Sequence, residues 1–190
     1  MGAAFCVEQA PSSERRPAAF QTLYRAGHTV ELAATVLGPS VPGIRAYHTS
    51  VVVDDKEYSF SFDGITTASG LRSHEHMPNG PPKVMYMGLT SITGKEMKDT
   101  LREFFQRGTY DLLRKNCNSF SDCALFYLLD VRLEPAYRGL EKLGHNLDRN
   151  AKIIQRVSGG EYLPNGEADG FDVEEVVKNI DDAKQSLGIR

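Results

Sequence analysis

The first part of the chain alternates apolar and polar residues, a pattern that predicts β-strands. Residues 29–37 place Val30 and every second residue after it on one side, and they predict a first strand. Residues 48–53 and 57–62 predict a hairpin around the turn Asp54-Asp55. Residues 83–87 predict a short strand, and residues 63–82, rich in Gly, Ser and Pro, predict a loop.

Strand alternation assigns the side chains of the hairpin to two faces. With a two- or four-residue turn, one face carries Thr49, Val51, Val53, Tyr58, Phe60 and Phe62. The other carries His48, Ser50, Val52, Glu57, Ser59 and Ser61. This mostly polar face suits a catalytic base that meets substrate, and equally a surface histidine. A one-residue slip would exchange the two faces.

Two capping patterns predict helices in the second half of the chain. Thr93 and Glu96 fit a capping box, and an apolar stripe from Met97 to Phe105 follows until Gly108 ends the helix. Asn116 is a good N-cap for a second helix, with Cys117 in its first turn. The buried stripe of this helix is predicted to contain Phe120, Ala124, Tyr127 and Leu128, with Cys123 as a small core residue beside it. Further helices are predicted over residues 135–143 and 173–187.

The composition is that of an ordinary soluble domain. Of 190 residues, 41% are hydrophobic and 25% charged, the formal net charge is −3, and one domain is the default. This charge gives no basic footprint for nucleic acid, and no apolar run is long enough to span a membrane. Three cysteines argue against a disulfide framework and for a reducing compartment, the cytoplasm, with the nucleus or a membrane surface as alternatives.

Residues 1–19 are expected to form a flexible leader. Gly2 fits the start of an N-myristoylation signal, although Cys6 occupies the position where Ser or Thr is usual. Cys6 is itself a candidate for palmitoylation, and two lipids would give peripheral membrane contact. The alternative is a disordered leader in which Gly2 occurs by chance.

The chemistry of the chain centres on Cys117 and on His48, which lies 69 positions earlier. The first turn of a helix favours a thiolate, and a nearby histidine would complete a nucleophile and its base. The backbone N–H of Cys117 and the side chains of Asn116 and Asn118 are candidate oxyanion donors. On spacing alone, a half-buried structural thiol explains Cys117 better. His74 and His76 fall short of a metal-ligand set, so no metal and no cofactor is predicted.

The flanking residues resemble a known family. The runs are Tyr47-His48-Thr49-Ser50-Val51-Val52-Val53, Glu57-Tyr58 with Gly64-Ile65, and Tyr110-Asp111-Leu112-Leu113 before Asn116-Cys117-Asn118-Ser119-Phe120. They are similar to the PPPDE family, the permuted papain-fold peptidases, and to its desumoylating isopeptidases in particular. The resemblance assigns residues 20–150 to the peptidase domain and leaves 151–190 as an acidic C-terminal extension with one helix.

The resemblance implies an α+β, permuted papain-like fold, in which a small antiparallel sheet or partial barrel packs on helices. It implies His48 as general base and Cys117 as nucleophile, and substrates that carry SUMO or ubiquitin on an isopeptide bond. Some relatives are linked to protein S-depalmitoylation, and some form homodimers. Ser61 stands where the family usually has glycine, and Tyr47 where many relatives have tryptophan. Both are therefore candidate pocket residues.

Three functions follow as hypotheses. The first is a cysteine isopeptidase acting on proteins conjugated to a ubiquitin-like modifier. The second is an acyl-thioesterase acting on S-acylated proteins, since a thioester has a better leaving group than an amide. The third is a catalytically silent module that binds a modifier.

Overall fold

The computed structural model describes residues 27–41, 44–77, 79–139 and 162–186. The leader with Gly2 and Cys6 lies outside these ranges, as do residues 140–143 of the helix predicted over residues 135–143. The start of that prediction is wrong, because residues 135–137 form a turn in which the Tyr137 N–H bonds Glu134 O. Within the described ranges the chain forms one antiparallel sheet with helices packed on it. The predicted α+β class is confirmed, and the arrangement is consistent with the papain-like fold that the resemblance implies.

The sheet has five strands in the order β4-β3-β2-β1-β5. Their bounds are β1 His28–Val41, β2 Ile44–Val53, β3 Lys56–Ser61, β4 Gly64–Ser69 and β5 Lys83–Thr90. Strands β1, β2 and β5 are longer than the alternation predicted, because backbone pairing continues where the side-chain pattern stops. Strand β1 lies between β2 and β5 and pairs with both.

The β2–β3 hairpin has the predicted two-residue turn. Asp54 and Asp55 both have positive φ, 48° and 64°, as the favoured two-residue hairpin turn requires. Val53 pairs with Lys56 and Val52 with Glu57, so the predicted assignment of faces is confirmed. Phe62 is the exception, because β3 ends at Ser61 and the Phe62 side chain is 63% exposed in the following turn.

The prediction of a loop over residues 63–82 is wrong for its first part. Strand β4 pairs with β3 from Ser61–Gly64 to Lys56–Ser69. This edge strand is mostly exposed on both faces, so it carries no alternating pattern that would reveal it. Gly64 starts it with φ +83°, and a side chain there would meet the backbone of Arg107 at 3.1 Å.

Helices α1, Gly94–Leu101, and α2, Cys117–Leu129, pack on one face of the sheet. Both predicted caps are confirmed: Thr93 and Glu96 form a capping box, and Asn116 Oδ1 accepts the N–H groups of Asn118 and Ser119. Helix α1 ends at Leu101, earlier than predicted, yet Phe105 is still buried. The largest side chains of this core are Phe60, Phe105, Phe120, Leu32, Met97, Leu101, Leu125 and Leu133.

The last helix, α3, spans Val173–Ser186 and packs on α2. Its buried stripe adds Val176, Val177 and Ile180 to the same core. Lys184 Nζ donates to Tyr127 O at 3.1 Å, and Asp130 Oδ1 lies 2.7 Å from the same ammonium group. The described part of the acidic extension is therefore packed into the domain. No helix in the described ranges has the length and apolar character needed to cross a bilayer.

The opposite face of β2 and β3 carries a buried polar layer. Segment 71–77, which contains a 3₁₀ turn over Arg72–His74, places the buried His74 against this face. Glu57 is 1% exposed and accepts the Ser50 hydroxyl at 2.8 Å. His74 bonds Ser50 Oγ through Nε2 at 2.9 Å and Thr35 Oγ1 through Nδ1 at 2.8 Å. The face that the sequence identified as polar is thus covered by another segment of the chain.

Acidification should destabilise this layer. Burial, and secondarily the neighbouring His48, lower the pKa of His74 from 6.5 to about 4, against the opposing effect of Glu57. Between these pH values the unfolded chain binds a proton that the folded chain does not, so stability is lost as pH falls from 6.5 towards 4. For one histidine the loss is about 3 kcal/mol. Urea unfolding over this range measures it.

The His74→Gln variant should show a shallower dependence of unfolding free energy on pH, because only one of the two histidines with a lowered pKa, His48, remains. His76 offers a matched control: it is exposed, and its φ of 65° suits asparagine. His76→Asn should keep the wild-type pH dependence. An unchanged slope in His74→Gln would contradict the assignment.

Truncation of the α3 stripe should destabilise the whole domain. Ile180 is 2% exposed in the shared core, so Ile180→Ala should lower the unfolding free energy by about 2–4 kcal/mol. Lys178→Ala, on the exposed side of the same helix, should change it by less than about 0.5 kcal/mol. Denaturant unfolding followed by circular dichroism measures both. A separate early transition in Ile180→Ala would show instead that α3 unfolds independently.

Candidate active site

Cys117 is the first residue of α2, and its side chain faces the protein interior. The residue is 1% exposed. Burial is the largest influence on the thiol and raises its pKa. At neutral pH the resting group is therefore a thiol, although it lies at a helix start.

Several hydrogen-bond donors surround the sulfur and oppose the effect of burial. The backbone N–H of Thr49 and the hydroxyl of Tyr110 lower the pKa of Cys117, as do the N–H groups of Asn118 and of Cys117 itself. These donors come from β2, from the loop before α2 and from the start of α2. They form a site where negative charge on sulfur, or on an oxygen bound beside it, would be stabilised once the proton leaves.

Thr49 attaches the start of α2 to strand β2. Its hydroxyl lies 2.9 Å from both Asn118 Oδ1 and Ser121 Oγ, and 3.5 Å from the Cys117 carbonyl oxygen. All of these residues are buried, so their polar atoms depend on one another for hydrogen bonds. Because Thr49 follows His48 in the chain, this contact brings the cysteine-bearing helix next to the histidine-bearing strand.

His48 lies on the polar face of β2, as predicted. Its Nε2 is 2.7 Å from Ser73 Oγ, and its ring centroid is 4.6 Å from that of His74. Burial lowers the pKa of His48 to about 4, and the negative charge of Glu57 opposes that shift only in part. The imidazole is therefore neutral at physiological pH and able to accept a proton.

The hydrogen-bond pattern assigns the His48 tautomer. Ser73 Oγ donates to Glu57 Oε1 at 2.6 Å, and a serine hydroxyl has only one proton to donate. Ser73 Oγ must then accept the Nε2–H of His48. Nδ1 is left with a lone pair and is the nitrogen that can act as a base.

No hydrogen bond joins the two predicted catalytic residues in the described part of the chain, and each is held by its own neighbours. Among the described residues, His48 contacts Ser73 and His74, whereas the Cys117 thiol is bonded by Thr49, Tyr110 and the start of α2. The β2–β3 pairing stops at Val51–Tyr58, while β3 stays paired with β4 to its end at Ser61. This divergence leaves the edge of β2 open at Thr49. The dyad itself stays a prediction.

A cavity of about 600 Å³ opens where the two strands diverge. His48, Ser61 and Tyr110 all line it, so the first predicted pocket residue does share a cavity with the histidine. Apolar side chains form much of the remaining wall: Phe60, Phe62, Ala68 and Met77. Tyr47, the second predicted pocket residue, is not part of this lining. Its ring packs edge-on against Tyr137, with centroids 5.0 Å apart.

The two candidate oxyanion asparagines differ in their hydrogen bonds. Asn116 Oδ1 caps α2, and its Nδ2 donates to Leu112 O at 3.0 Å, so its amide is engaged in local structure. Asn118 Nδ2 is buried and has no hydrogen-bond partner among the described residues. Of the two, Asn118 keeps a donor that is free to serve a bound group.

His74 and His76, the pair considered as metal ligands, occupy different environments. His74 is held by Thr35 and Ser50, and His76 is exposed. In the parts of the chain that the structure describes, His, Cys, Asp and Glu side chains form no cluster of three suited to a metal ion.

Sequence reasoning missed most of the groups around the two residues it identified. Glu57 was assigned to the correct face, but nothing in the alternation indicated that this face is buried. Ser73 and His74 fell in a segment interpreted only as loop. Tyr110 belonged to a quoted motif but had no assigned contact. The available signal for Glu57 was its place on the same predicted hairpin face as His48, because a carboxylate near an imidazole can favour its charged form.

Comparison with known proteins identifies the family of this chain. Residues 21–148 match the family described as "PPPDE putative peptidase domain". Desumoylating isopeptidase 1 of Xenopus laevis is 31% identical over 110 residues, which is 56% of this chain and 62% of that protein. The proteins of the same name from Rattus norvegicus and Homo sapiens are 31% identical over 115 residues, with the same shares covered. The match thus spans less than two thirds of each relative. With its histidine strand, cysteine helix and matching residues in this order, the chain belongs to the PPPDE peptidase-domain family.

Proposed function

We propose that this protein is a cysteine isopeptidase that releases a ubiquitin-like modifier from a lysine of a substrate protein. The observation that carries the proposal is the buried Cys117 thiol at a helix start, surrounded by hydrogen-bond donors, one of which, Tyr110, lines the same cavity as His48. Its similarity to relatives named desumoylating isopeptidase supports SUMO as the modifier. Ubiquitin is the alternative modifier.

The first step forms a C–S bond, breaks a C–N bond and passes one proton from the thiol to the leaving amine. His48 Nδ1 takes the Cys117 proton, and the sulfur attacks the carbonyl carbon of the modifier's C-terminal residue. When the C–N bond breaks, the imidazolium returns its proton to the departing lysine amine. The products of this step are the free lysine side chain and a thioester between Cys117 and the modifier.

The second step hydrolyses the thioester. His48 accepts a proton from water as the hydroxide attacks the carbonyl carbon, and that proton then passes to the departing Cys117 sulfur. The modifier leaves with a free carboxyl group. In both steps the developing oxyanion would be met by donors that lie around the resting sulfur, with Asn118 Nδ2 as an additional donor.

This mechanism starts from neutral partners. The pKa of His48 is lowered and that of Cys117 is raised, so the resting pair is thiol and imidazole. The proton must then move as substrate binds or as attack begins. With the pKa of His48 at about 4, the site keeps an unprotonated base even in mildly acidic solution.

A second candidate is protein S-acyl thioester hydrolysis. The apolar wall formed by Phe60, Phe62, Ala68 and Met77 favours an acyl chain in the cavity beside His48. The nucleophile and base would be the same, and the thiolate leaving group would need less protonation than an amine. Lipidation of Gly2 and Cys6 and work at a cytoplasmic membrane surface would fit this function, and both are part of this second proposal.

Removing either member of the dyad should abolish cleavage of a SUMO-conjugated protein. Cys117→Ser and His48→Ala should each lower kcat/KM by at least about a thousandfold, because the remaining groups cannot supply nucleophile and base together. Gel-based cleavage and electrophilic probes carrying a modifier tail measure this. Cys123→Ala, which removes the other buried thiol of α2, should retain activity. Undiminished turnover in Cys117→Ser or His48→Ala would contradict the dyad.

Filling the cavity should test the acyl-chain site of the second candidate function. Ala68→Phe adds a ring to the apolar wall. It should lower hydrolysis of a long-chain acyl thioester by more than about tenfold if the chain binds there, with little effect on an acetyl thioester. Ser69→Phe, an equal insertion at the next residue outside the lining, should leave both rates unchanged. Equal rates for all chain lengths in wild type and Ala68→Phe would contradict the acyl-chain site.

A further inference from the structure

A chain of hydrogen bonds connects Glu57 to the candidate base through one serine. Glu57 Oε1 accepts the Ser73 hydroxyl at 2.6 Å, and Ser73 Oγ lies 2.7 Å from His48 Nε2. The Ser73 backbone N–H also donates to Glu57 Oε2, at 3.1 Å. Ser73 is thus held at two points by a carboxylate and presents one oxygen to the imidazole.

The carboxylate oxygen that accepts the Ser73 hydroxyl also accepts a second serine. Ser50 donates to Glu57 Oε1 at 2.8 Å, and Ser50 Oγ in turn accepts Nε2–H of His74. His74 Nδ1 then accepts the Thr35 hydroxyl. Every hydroxyl proton in this network has one defined acceptor, so the direction of each bond follows from the position of Glu57. The carboxylate can neither rotate nor release Ser73 without leaving a buried group unpaired.

We propose that Ser73 and Glu57 are positioning residues of the reaction, which hold His48 as its Nε2–H tautomer and so present Nδ1 as the base for Cys117. This inference rests on the proposed function, because it gives His48 its role in proton transfer. A dyad of cysteine and histidine thereby becomes a four-residue arrangement in which a serine bridges the histidine and a buried carboxylate.

The arrangement also stabilises the positive charge that develops on His48 during the reaction. When Nδ1 takes the thiol proton, the ring becomes an imidazolium that still donates Nε2–H to Ser73. The Ser73 hydroxyl stays oriented towards Glu57, whose negative charge lies on the far side of the bridge and favours the cationic ring. No proton needs to reach Glu57. Its contribution is orientation and electrostatic stabilisation, as for the carboxylate of a serine-protease triad.

Ser73→Ala tests the proposal most directly. It removes the hydroxyl from a partly exposed 3₁₀ turn and leaves the Ser73 N–H bond to Glu57 in place. We expect kcat for SUMO release to fall about tenfold to a hundredfold with KM within about twofold, because substrate binding is intact and base orientation is lost. Ser73→Thr, which restores a hydroxyl, should recover most of the rate.

The pH profile gives a readout that a purely structural role would not move. The charged or titratable groups in contact with His48 or lining its cavity are Glu57, His74, Tyr110 and Arg72, with Cys117 as its reaction partner. Glu57→Gln removes the anion that favours the imidazolium, so the acidic limb of kcat/KM should move to lower pH. Glu75→Gln, which removes an exposed carboxylate from the same segment, and Ser69→Ala should match wild type in rate and profile.

Nitrogen-15 NMR of the histidine rings decides the tautomer without any substrate. Wild type should show His48 as Nε2–H, and Ser73→Ala should show a mixture of tautomers. If wild type cleaves no modifier or acyl substrate yet shows this change, the positioning network stands and the proposed function fails. If wild type is active and Ser73→Ala keeps both full kcat and the same tautomer, the network proposal is overturned. A wild-type Nδ1–H form overturns it even if no variant folds.

Discussion

The site depends on the contact between Thr49 and the first turn of α2. One short strand segment carries the candidate base on its polar face, at His48, and the anchor of the cysteine helix on its core face, at Thr49. The Thr49 hydroxyl meets Asn118 and Ser121 in an environment without access to water, where an unpaired partner would cost about 1–3 kcal/mol. Rotation or translation of α2 would break these bonds. The sulfur is consequently held at the open edge of β2.

The sheet supplies the second constraint by ending one strand pairing early. Because β2 and β3 separate beyond Val51–Tyr58, the edge of β2 near Thr49 is open to the start of α2, and a cavity forms between the diverging strands. A continuous ladder would satisfy the Thr49 N–H with β3 and close the cavity. The side chains of His48, Ser61 and Tyr110 line this cavity.

Burial explains why both partners are neutral at rest. Burial acts in the same chemical sense on the two groups: it disfavours the charged form of the imidazole and of the thiol alike. The local donors and Glu57 act against burial, and they become effective when charge develops during reaction. A thiol in such a site reacts slowly with oxidants, since little of the reactive thiolate is present before substrate binds.

Sequence patterns predicted those elements whose structure is determined by residues close together in the chain. Asn116 caps its own helix, Thr93 and Glu96 satisfy each other, and the Asp54-Asp55 turn sets the register of its own hairpin. Strand β4 escaped prediction because its pairing with β3, rather than its own side chains, makes it a strand. Helix α3 was predicted as an element whose apolar stripe could pack on the domain or on a partner, and the folded structure places that stripe in the core.

By itself, then, the sequence determined the fold class, the two helix starts, the face of β2 that bears His48, and family membership through its paired motifs. Tertiary structure alone decided that segment 71–77 covers the polar face, that Ser73 bridges His48 to Glu57, and that Thr49 and Tyr110 bond the sulfur. The reason is distance along the chain. Local patterns report alternation and capping, whereas pKa values and hydrogen-bond direction depend on burial by segments that come together only in the folded state.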